Sequence, residues 1–309
     1  EAVLVWGHGW LLDVALHPDY ENNGWIYLHH TKRCAECTII ARSFNRVLRG
    51  RIADGKWVDE EVIWDPGSQY YSIVPDVGAG GRLAFDDAGY LYISVGIKGS
   101  SNFDGVQNLA KPWGKIHRVH DDGRVPKDNP FVDTVGAYPT TWTYGHRSPQ
   151  GLFYDSVTDK LWMTEHGPQG GDELNLVEPG KNYGWPMVSL GRDYSGPWQS
   201  DGPNHLGYQP PVVYWTPAIA VSGMTFYTSD VMPKWKGGLF VGSLRTGEIP
   251  GTGHLERIVL NEKYEELRRE TLLVDMHQRM RDVRQGPDGF LYVATEERDG
   301  VVLRIRPAQ

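Results

Sequence analysis

One spelling recurs five times along this chain, and it confines the fold to a small set. An apolar strand leads through a turn into a second strand rich in Leu, Tyr and Val, and a loop follows. Leu12-Asp13-Val14-Ala15-Leu16-His17-Pro18-Asp19 precedes Trp25-Ile26-Tyr27-Leu28, and Arg82-Leu83-Ala84-Phe85-Asp86-Asp87-Ala88-Gly89 precedes Tyr90-Leu91-Tyr92-Ile93-Ser94-Val95. The same order joins Gln150–Tyr154 to Lys160–Thr164, Gly223–Tyr227 to Gly238–Val241, and Arg281–Gly289 to Phe290–Val293. Anchors at Asp13, Arg82, Gln150, Gly223 and Asp282 are spaced by 69, 68, 73 and 59 residues. These spacings exceed the ~40–50 residues of common propeller repeats, and inserted loops hold the excess. Two strands around an Asp-Gly-type turn make a hairpin. A second, less regular hairpin follows in most units, as at Gly114–Val119 and Val301–Ile305. Four strands per unit make a propeller blade. The expected fold is therefore all-β, a single β-propeller domain over residues 1–309. Its blade units are 7–65, 78–135, 144–215, 219–275 and 279–309. A sandwich would not explain the repeated spelling. Helical periodicity is nearly absent, and residues 261–276 are the one charged stretch that imitates it.

The 309 residues suffice for one large or two ordinary domains. No apolar run approaches the ~18 residues of a membrane helix, so membrane insertion is not expected. The net charge is −8 without a basic cluster, which argues against nucleic acid and anionic membrane as partners. Cys34 and Cys37 are the only cysteines. Zinc would need a second ligand pair, although His29 and His30 lie just upstream. A thioredoxin-type motif would need a βαβ setting, which is absent. A local disulfide or two unpaired thiols remain, and a disulfide would imply an oxidising compartment. The sequence starts at Glu1 and is inside a motif by Gly7, the start expected of a processed or truncated chain.

Chemistry concentrates in Glu165-His166-Gly167-Pro168-Gln169-Gly170-Gly171-Asp172-Glu173-Leu174-Asn175, continuing to Asn182-Tyr183-Gly184-Trp185-Pro186. Glycines let backbone approach a ligand closely, and carbonyl and carboxylate oxygens suit a hard cation. This stretch resembles a signature of the quinoprotein sugar dehydrogenases, the family of soluble glucose, aldose sugar and sorbosone dehydrogenases. The resemblance covers nearly the whole chain. It implies a six-bladed-type propeller, pyrroloquinoline quinone (PQQ) and Ca²⁺ as cofactors, a sugar substrate, a separate electron acceptor and a periplasmic or secreted location. Only about five blades are recognisable here. The family's first blade would precede Trp6-Gly7-His8-Gly9-Trp10-Leu11-Leu12. Either an upstream segment was removed or the ring closes with fewer blades, and a ring lacking one blade would expose two sheet edges.

Residue by residue, the resemblance gives Gly167 and Pro168 carbonyls to Ca²⁺ and places His166 and Asp172 near the cofactor. Tyr144-Gly145-His146-Arg147-Ser148-Pro149-Gln150 resembles a family segment whose arginine lies near PQQ and substrate. Ser148 stands where an Asn contacts the cofactor. Arg279-Met280-Arg281-Asp282-Val283 resembles Arg-x-Arg-Asp-Val. Alternation puts both arginines on one face of a strand, a rational anchor for the three PQQ carboxylates. Arg245 takes the place of a lysine with the same duty. Trp215 would cover one face of the quinone, with Ala218 in place of a threonine contact.

One part of the pattern is broken. The family's general base is a histidine in His-x-Gly-Gly-Arg-Leu, and here the segment reads Gly78-Ala79-Gly80-Gly81-Arg82-Leu83. The supporting aspartate of Gly-Asp is replaced in Gly96-Ile97. Glycine accepts no proton, and alcohol oxidation needs one removed. Asp76 and His8 are the substitute candidates, with Arg147 beside them and His146 a further one. Three readings follow: a PQQ-dependent dehydrogenase oxidising aldoses to lactones with an altered base, a non-catalytic propeller retaining a PQQ, Ca²⁺ or sugar site, and a Ca²⁺-dependent lactonase-like hydrolase.

Overall fold

The structure, a computed structural model, describes residues 9–35, 37, 41–73, 76–97, 105–198, 200 and 206–307. Among them the strands form five sheets, each a meander in which consecutive strands are neighbours. The first sheet is β1 (Leu11–Leu16), β2 (Ile26–Arg33), β3 (Ser43–Ala53) and β4 (Lys56–Trp64). The second is β5 (Gly80–Phe85), β6 (Tyr90–Val95), β7 (Lys115–His120) and β8 (Thr141–Tyr144). The third is β9 (Pro149–Asp155), β10 (Lys160–Glu165), β11 (Asp172–Val177) and β12 (Val213–Trp215). The fourth is β13 (Val221–Phe226), β14 (Leu239–Ser243), β15 (His254–Leu260) and β16 (Glu266–Leu272). The fifth is β17 (Met280–Gln285), β18 (Leu291–Thr295) and β19 (Val302–Ile305), with three strands among the described residues. These are the five recurrent units of the sequence, and the fold is all-β, of propeller type. Among the described residues helix is confined to one turn at Tyr20–Asn23 and three short 3₁₀ turns. The charged stretch at 261–276 forms β16 and one of those turns.

The turns show why the spelling works. In the β5–β6 hairpin, the Asp86 carboxylate accepts the Tyr90 N–H at 2.8 Å, and Gly89 takes φ 83°. Asp288 and Gly289 repeat this between β17 and β18, with φ 78° at the glycine. Both aspartates supply a local acceptor, and both glycines take a conformation that a Cβ disfavours.

The chain divides into two compact units. The first comprises Glu1–Pro149, Ser156–Asp159 and Val177–Pro186, and the second Gln150–Asp155, Lys160–Leu176 and Met187–Gln309. In the first, Tyr27, Phe44 and Trp64 pack against Leu83, Leu91 and Ile93 between the first two sheets. In the second, Trp162 and Leu174 meet Val221 and Val241, and Phe240 and Leu255 meet Val283 and Val293. Neighbouring sheets are also tied by polar contacts. Asp13 accepts its own strand's Val14 N–H at 2.9 Å and the Leu83 N–H of β5 at 2.9 Å. Between β13 and β17 the Ser222 hydroxyl donates to the Met280 carbonyl at 2.5 Å. Asp282 comes so close there that a Cβ on Gly223 would lie 1.8 Å from its Oδ1, so only glycine fits.

Cys34 and Cys37 form a disulfide just after β2. Both thiols are consumed, which settles the open choice and removes the zinc reading. In a meander, the entry to the first strand and the connection from second to third lie at the same edge of the sheet. Gly78, Arg147, Ser148 and Arg279 precede first strands, Arg281 lies just inside one, and Ile97, His166–Asp172 and Arg245 sit at second-to-third connections. Each therefore lies at the corresponding edge of its own sheet.

Candidate functional site

The Gly167-Pro168 turn joins β10 to β11 in the second unit. A Cβ on Gly167 would lie 2.2 Å from the Gly170 carbonyl oxygen and 2.4 Å from that of Gly171. Backbone oxygens thus crowd a point that only glycine can occupy. Asp172 holds this turn in place. Its Oδ1 accepts the Gly167 N–H at 3.0 Å, and its Oδ2 accepts the N–H groups of Ile219 at 3.0 Å and Val221 at 3.2 Å. His166 makes a parallel link through Nε2 to the Val221 carbonyl at 2.6 Å. A carbonyl only accepts, so Nε2 carries the proton. Asp172 is 1 % exposed and acts through the backbone that it orders.

On the strands flanking the turn, the Asn175 amide donates to Glu165 and to Glu173, each at 3.1 Å. Burial, then the Glu165 carboxylate, push Glu173 up to about 8. This carboxyl pair was not singled out from sequence. Its only signal was the alternation of Glu173 and Asn175 on one face of β11.

Arg279 and Arg281 converge on Glu296, the first at 3.5 Å and the second in a closer ion pair. Arg281 also reaches Gln150 Oε1 at 3.5 Å. Arg245 pairs with Glu248. Each arginine is about a third exposed, so the cations remain open to an anionic ligand. Trp215 is placed differently from its expected role. It is 3 % exposed, its indole N–H donates to Glu256 at 2.9 Å, and its ring packs with Trp162 and Leu174. The exposed segment after it, Thr216-Pro217 leading to Ala218, lines an open cleft of about 540 Å³ with Gln169, Gly170, Arg192, Trp198 and Glu248.

In the first unit, Gly78 and Ile97 lie against each other. A Cβ on Gly78 would sit 3.1 Å from Ile97 Cγ1, and Gly78 has φ 80°. Ile97 is 1 % exposed and packs on Val106 and Trp185. Its N–H donates to the Arg147 carbonyl at 2.9 Å, and the Arg147 guanidinium lies 5.3 Å from the Trp185 ring centroid. Arg147 and Ser148 are both buried. The Arg147 backbone and the two substituted positions thus lie side by side. Asp76 is fully buried. Its Oδ1 accepts from the Ser43 hydroxyl at 2.6 Å and its Oδ2 from the Gly9 N–H at 3.1 Å. His146 is buried, its ring nitrogen 2.8 Å from the Thr143 hydroxyl and its ring against Tyr183. His8 lies outside the described residues. Nearby, the buried Lys115 ammonium donates to the carbonyls of Val106 and Trp113, each at 2.9 Å, while burial lowers it to about 7.

The donor set fits the two implied groups. Among the described residues no three His, Cys, Asp or Glu side chains group as metal ligands. A hard cation at the Gly167-Pro168 turn would therefore take backbone oxygens, the kind concentrated there. Three partly exposed arginines suit a multiply anionic cofactor.

The profile of the Glucose / Sorbosone dehydrogenase family matches residues 1–304. Aldose sugar dehydrogenase YliI of Escherichia coli (strain K12) is 39 % identical over 311 residues, covering 98 % of this chain and 79 % of that protein. A structure of the soluble aldose sugar dehydrogenase from Escherichia coli in the apo-form superposes with a TM-score of 0.84 at 37 % identity, covering 98 % of this chain and 85 % of the other. The PQQ-bound form of aldose sugar dehydrogenase from Streptomyces coelicolor superposes with a TM-score of 0.72 at 26 % identity, covering 98 % and 81 %.

Proposed function

Since the chain belongs to the glucose/sorbosone dehydrogenase family and is an oxidoreductase acting on sugars, we propose that it oxidises aldoses to lactones with PQQ and Ca²⁺. The observation that carries this reading is the Gly167-Pro168 turn, clamped by Asp172 and His166 in a chain similar to a PQQ-bound enzyme. The carbonyls of Gly167 and Pro168 would hold Ca²⁺, and Arg245, Arg279 and Arg281 would anchor the cofactor carboxylates. PQQ, when bound, supplies the acceptor for the two electrons and the hydrogen leaving the anomeric carbon. By the family resemblance, Arg147 would orient the sugar oxygen. A separate electron acceptor would then take the electrons onward.

Proton removal is where this chain departs from its family. Gly78 and Ile97 offer no acceptor, so the hydroxyl proton must pass to another group. Asp76 reaches a substrate only if the loop carrying Gly78, Gly80 and Gly81 shifts, since its oxygens accept from Ser43 and Gly9. His8 is the other candidate. The Gly78–Ile97 contact favours a second reading, a chain that binds cofactor and sugar but turns over slowly. The Cys34–Cys37 disulfide supports a periplasmic or secreted location. No helix among the described residues is long and apolar enough to cross a membrane.

The test is dye-linked oxidation of aldoses after loading with PQQ and Ca²⁺, with the lactone identified as product. Dye reduction that requires both groups supports the reading. Loaded protein that reduces no dye with any aldose removes it.

A further inference from the structure

We propose that Gln107 is a positioning residue for Arg147, acting through Trp185. This rests on the sugar-oxidising reading above, in which Arg147 orients the substrate. Gln107 lies in the connection between β6 and β7, outside the motifs that point to the cofactor. Its side-chain amide makes a reciprocal pair with that of Asn182. Gln107 Nε2 donates to Asn182 Oδ1 at 3.1 Å, and Asn182 Nδ2 donates back to Gln107 Oε1 at 2.7 Å. The second Gln107 N–H donates to the Trp185 carbonyl at 2.6 Å, and Asn182 Oδ1 also accepts the Gly184 N–H at 3.0 Å. These bonds fix both amides, since turning Gln107 over would set its oxygen against the Trp185 carbonyl and turning Asn182 over would set N–H against N–H. One glutamine thus gathers the turn from Asn182 to Trp185.

That turn is the mount for an indole beside Arg147. The N–H groups of Tyr183 and Trp185 donate to the carbonyls of Tyr144 and Gly145, both at 2.9 Å, on the segment that leads into Arg147. A Cβ on Gly145 would lie 2.2 Å from Asn182 Oδ1, so this approach requires glycine. Trp185 is pinned at its N–H by Gly145 and at its carbonyl by Gln107. Its ring packs with Ile97 and Val106 and lies 5.3 Å from the Arg147 guanidinium. Arg147 is 7 % exposed. A charge set that deep takes its direction from the groups around it, because burial without them is costly. Gln107 is itself held firmly. The carbonyls of Gly105, Val106 and Trp113 converge on the buried Lys115 ammonium, which has one N–H for each. Both stems of the connection are thereby tied to the start of β7. Removing the Gln107 amide would strip the Trp185 carbonyl of this donor and let the indole turn away from Arg147.

The unloaded protein provides the first test, by NMR of arginine side chains. The Arg147 Nε–H resonance, identified by its loss in Arg147→Lys, should be displaced by the indole ring current. In Gln107→Ala it should move toward the range of ordinary arginines. Gln107→Glu should act alike, since a carboxylate has no N–H for the Trp185 carbonyl. If Gln107→Ala does not fold, this isosteric variant carries the test. In the PQQ- and Ca²⁺-loaded enzyme, the KM for an aldose should rise about tenfold in both variants, the scale of one hydrogen bond to a charged group. Loss of folded protein alone would lower apparent kcat and leave KM where it was. An Arg147 resonance unmoved by the substitutions, or an unchanged KM, overturns the proposal. If the resonance moves while no aldose reduces dye with the wild type, the placement of Arg147 by Gln107 stands and the proposed reaction falls.

Discussion

Both carboxylate oxygens of Asp172 are taken by backbone N–H groups, and that fixes how the residue contributes. It shapes the turn that would carry the cation. Asp172→Asn would turn an NH₂ group toward at least one N–H donor. We expect a loss of about 3 kcal/mol in chemical denaturation, since hydrogen bonds to charged groups each contribute ~1.5–3 kcal/mol. Unchanged stability would show that the turn does not depend on this clamp. At the other edge position, Gly78→His alone should fail. Its φ of 80° disfavours a side chain, and the first atom added would press on Ile97. Gly78→His with Ile97→Asp replaces the apolar contact by a base with a partner, and the φ of 80° remains a stability cost. The pair should raise dye-linked sugar oxidation, by up to ~10²–10⁴-fold if the base alone limits the rate. Wild-type turnover matching that of its relatives would place the base elsewhere, with Asp76 the first residue to replace. Gly167, Pro168 and Asp172 were legible in sequence because the turn is one contiguous run. Trp198 was not. It reaches the turn only because the long connection between β11 and β12 folds back, and no local pattern reports that return.

Strands were legible where they alternate or run apolar for five or six residues, as in β5, β6, β10 and β18. The outer strands were harder. β8 has four residues and β12 three, too few to display a period. β16 is exposed along nearly its whole length, so neither face marks a core, and its charges imitate a helix. Two inner elements carry a pH liability. His29 on β2 and His117 on β7 are fully buried, and burial lowers each to about 3. An unfolded chain protonates histidine near 6.5, so it binds more protons than the native state between about pH 6.5 and 3. Stability is therefore full above about 6.5 and falls as the pH drops through that window. His117→Gln should flatten the acid limb of urea midpoints measured from pH 7 to 4, and an unchanged slope would count against it. The disulfide closes a loop of only four residues. Chain entropy then assigns it about 2 kcal/mol, so Cys34→Ser with Cys37→Ser should lower Tm modestly and leave folding intact. A variant that no longer folds would show a larger role.

At the scale of the whole molecule, fold class was the most legible property, because a repeat reports architecture through every copy at once. The cofactor reading adds a coupled prediction. Two carbonyls fall short of the ~6–8 oxygens Ca²⁺ prefers, so on this reading further oxygens would come from PQQ. Ca²⁺ with PQQ should raise Tm more than the sum of either alone, with about 2.7 kcal/mol of stabilisation at a hundredfold excess over Kd. Additive shifts in differential scanning calorimetry would separate the two sites. Within each sheet the candidate residues lie at one edge, and that has a further consequence, for attaching the protein to a surface. The hairpin turns at Asp86–Gly89 and Asp288–Gly289 lie at the opposite edges of their sheets. A lone cysteine or an affinity tag placed there would orient each sheet with its chemical edge toward solution. An electrode coated through one of those turns would present the candidate loops of that sheet to the analyte, whereas random lysine coupling would mask a share of them.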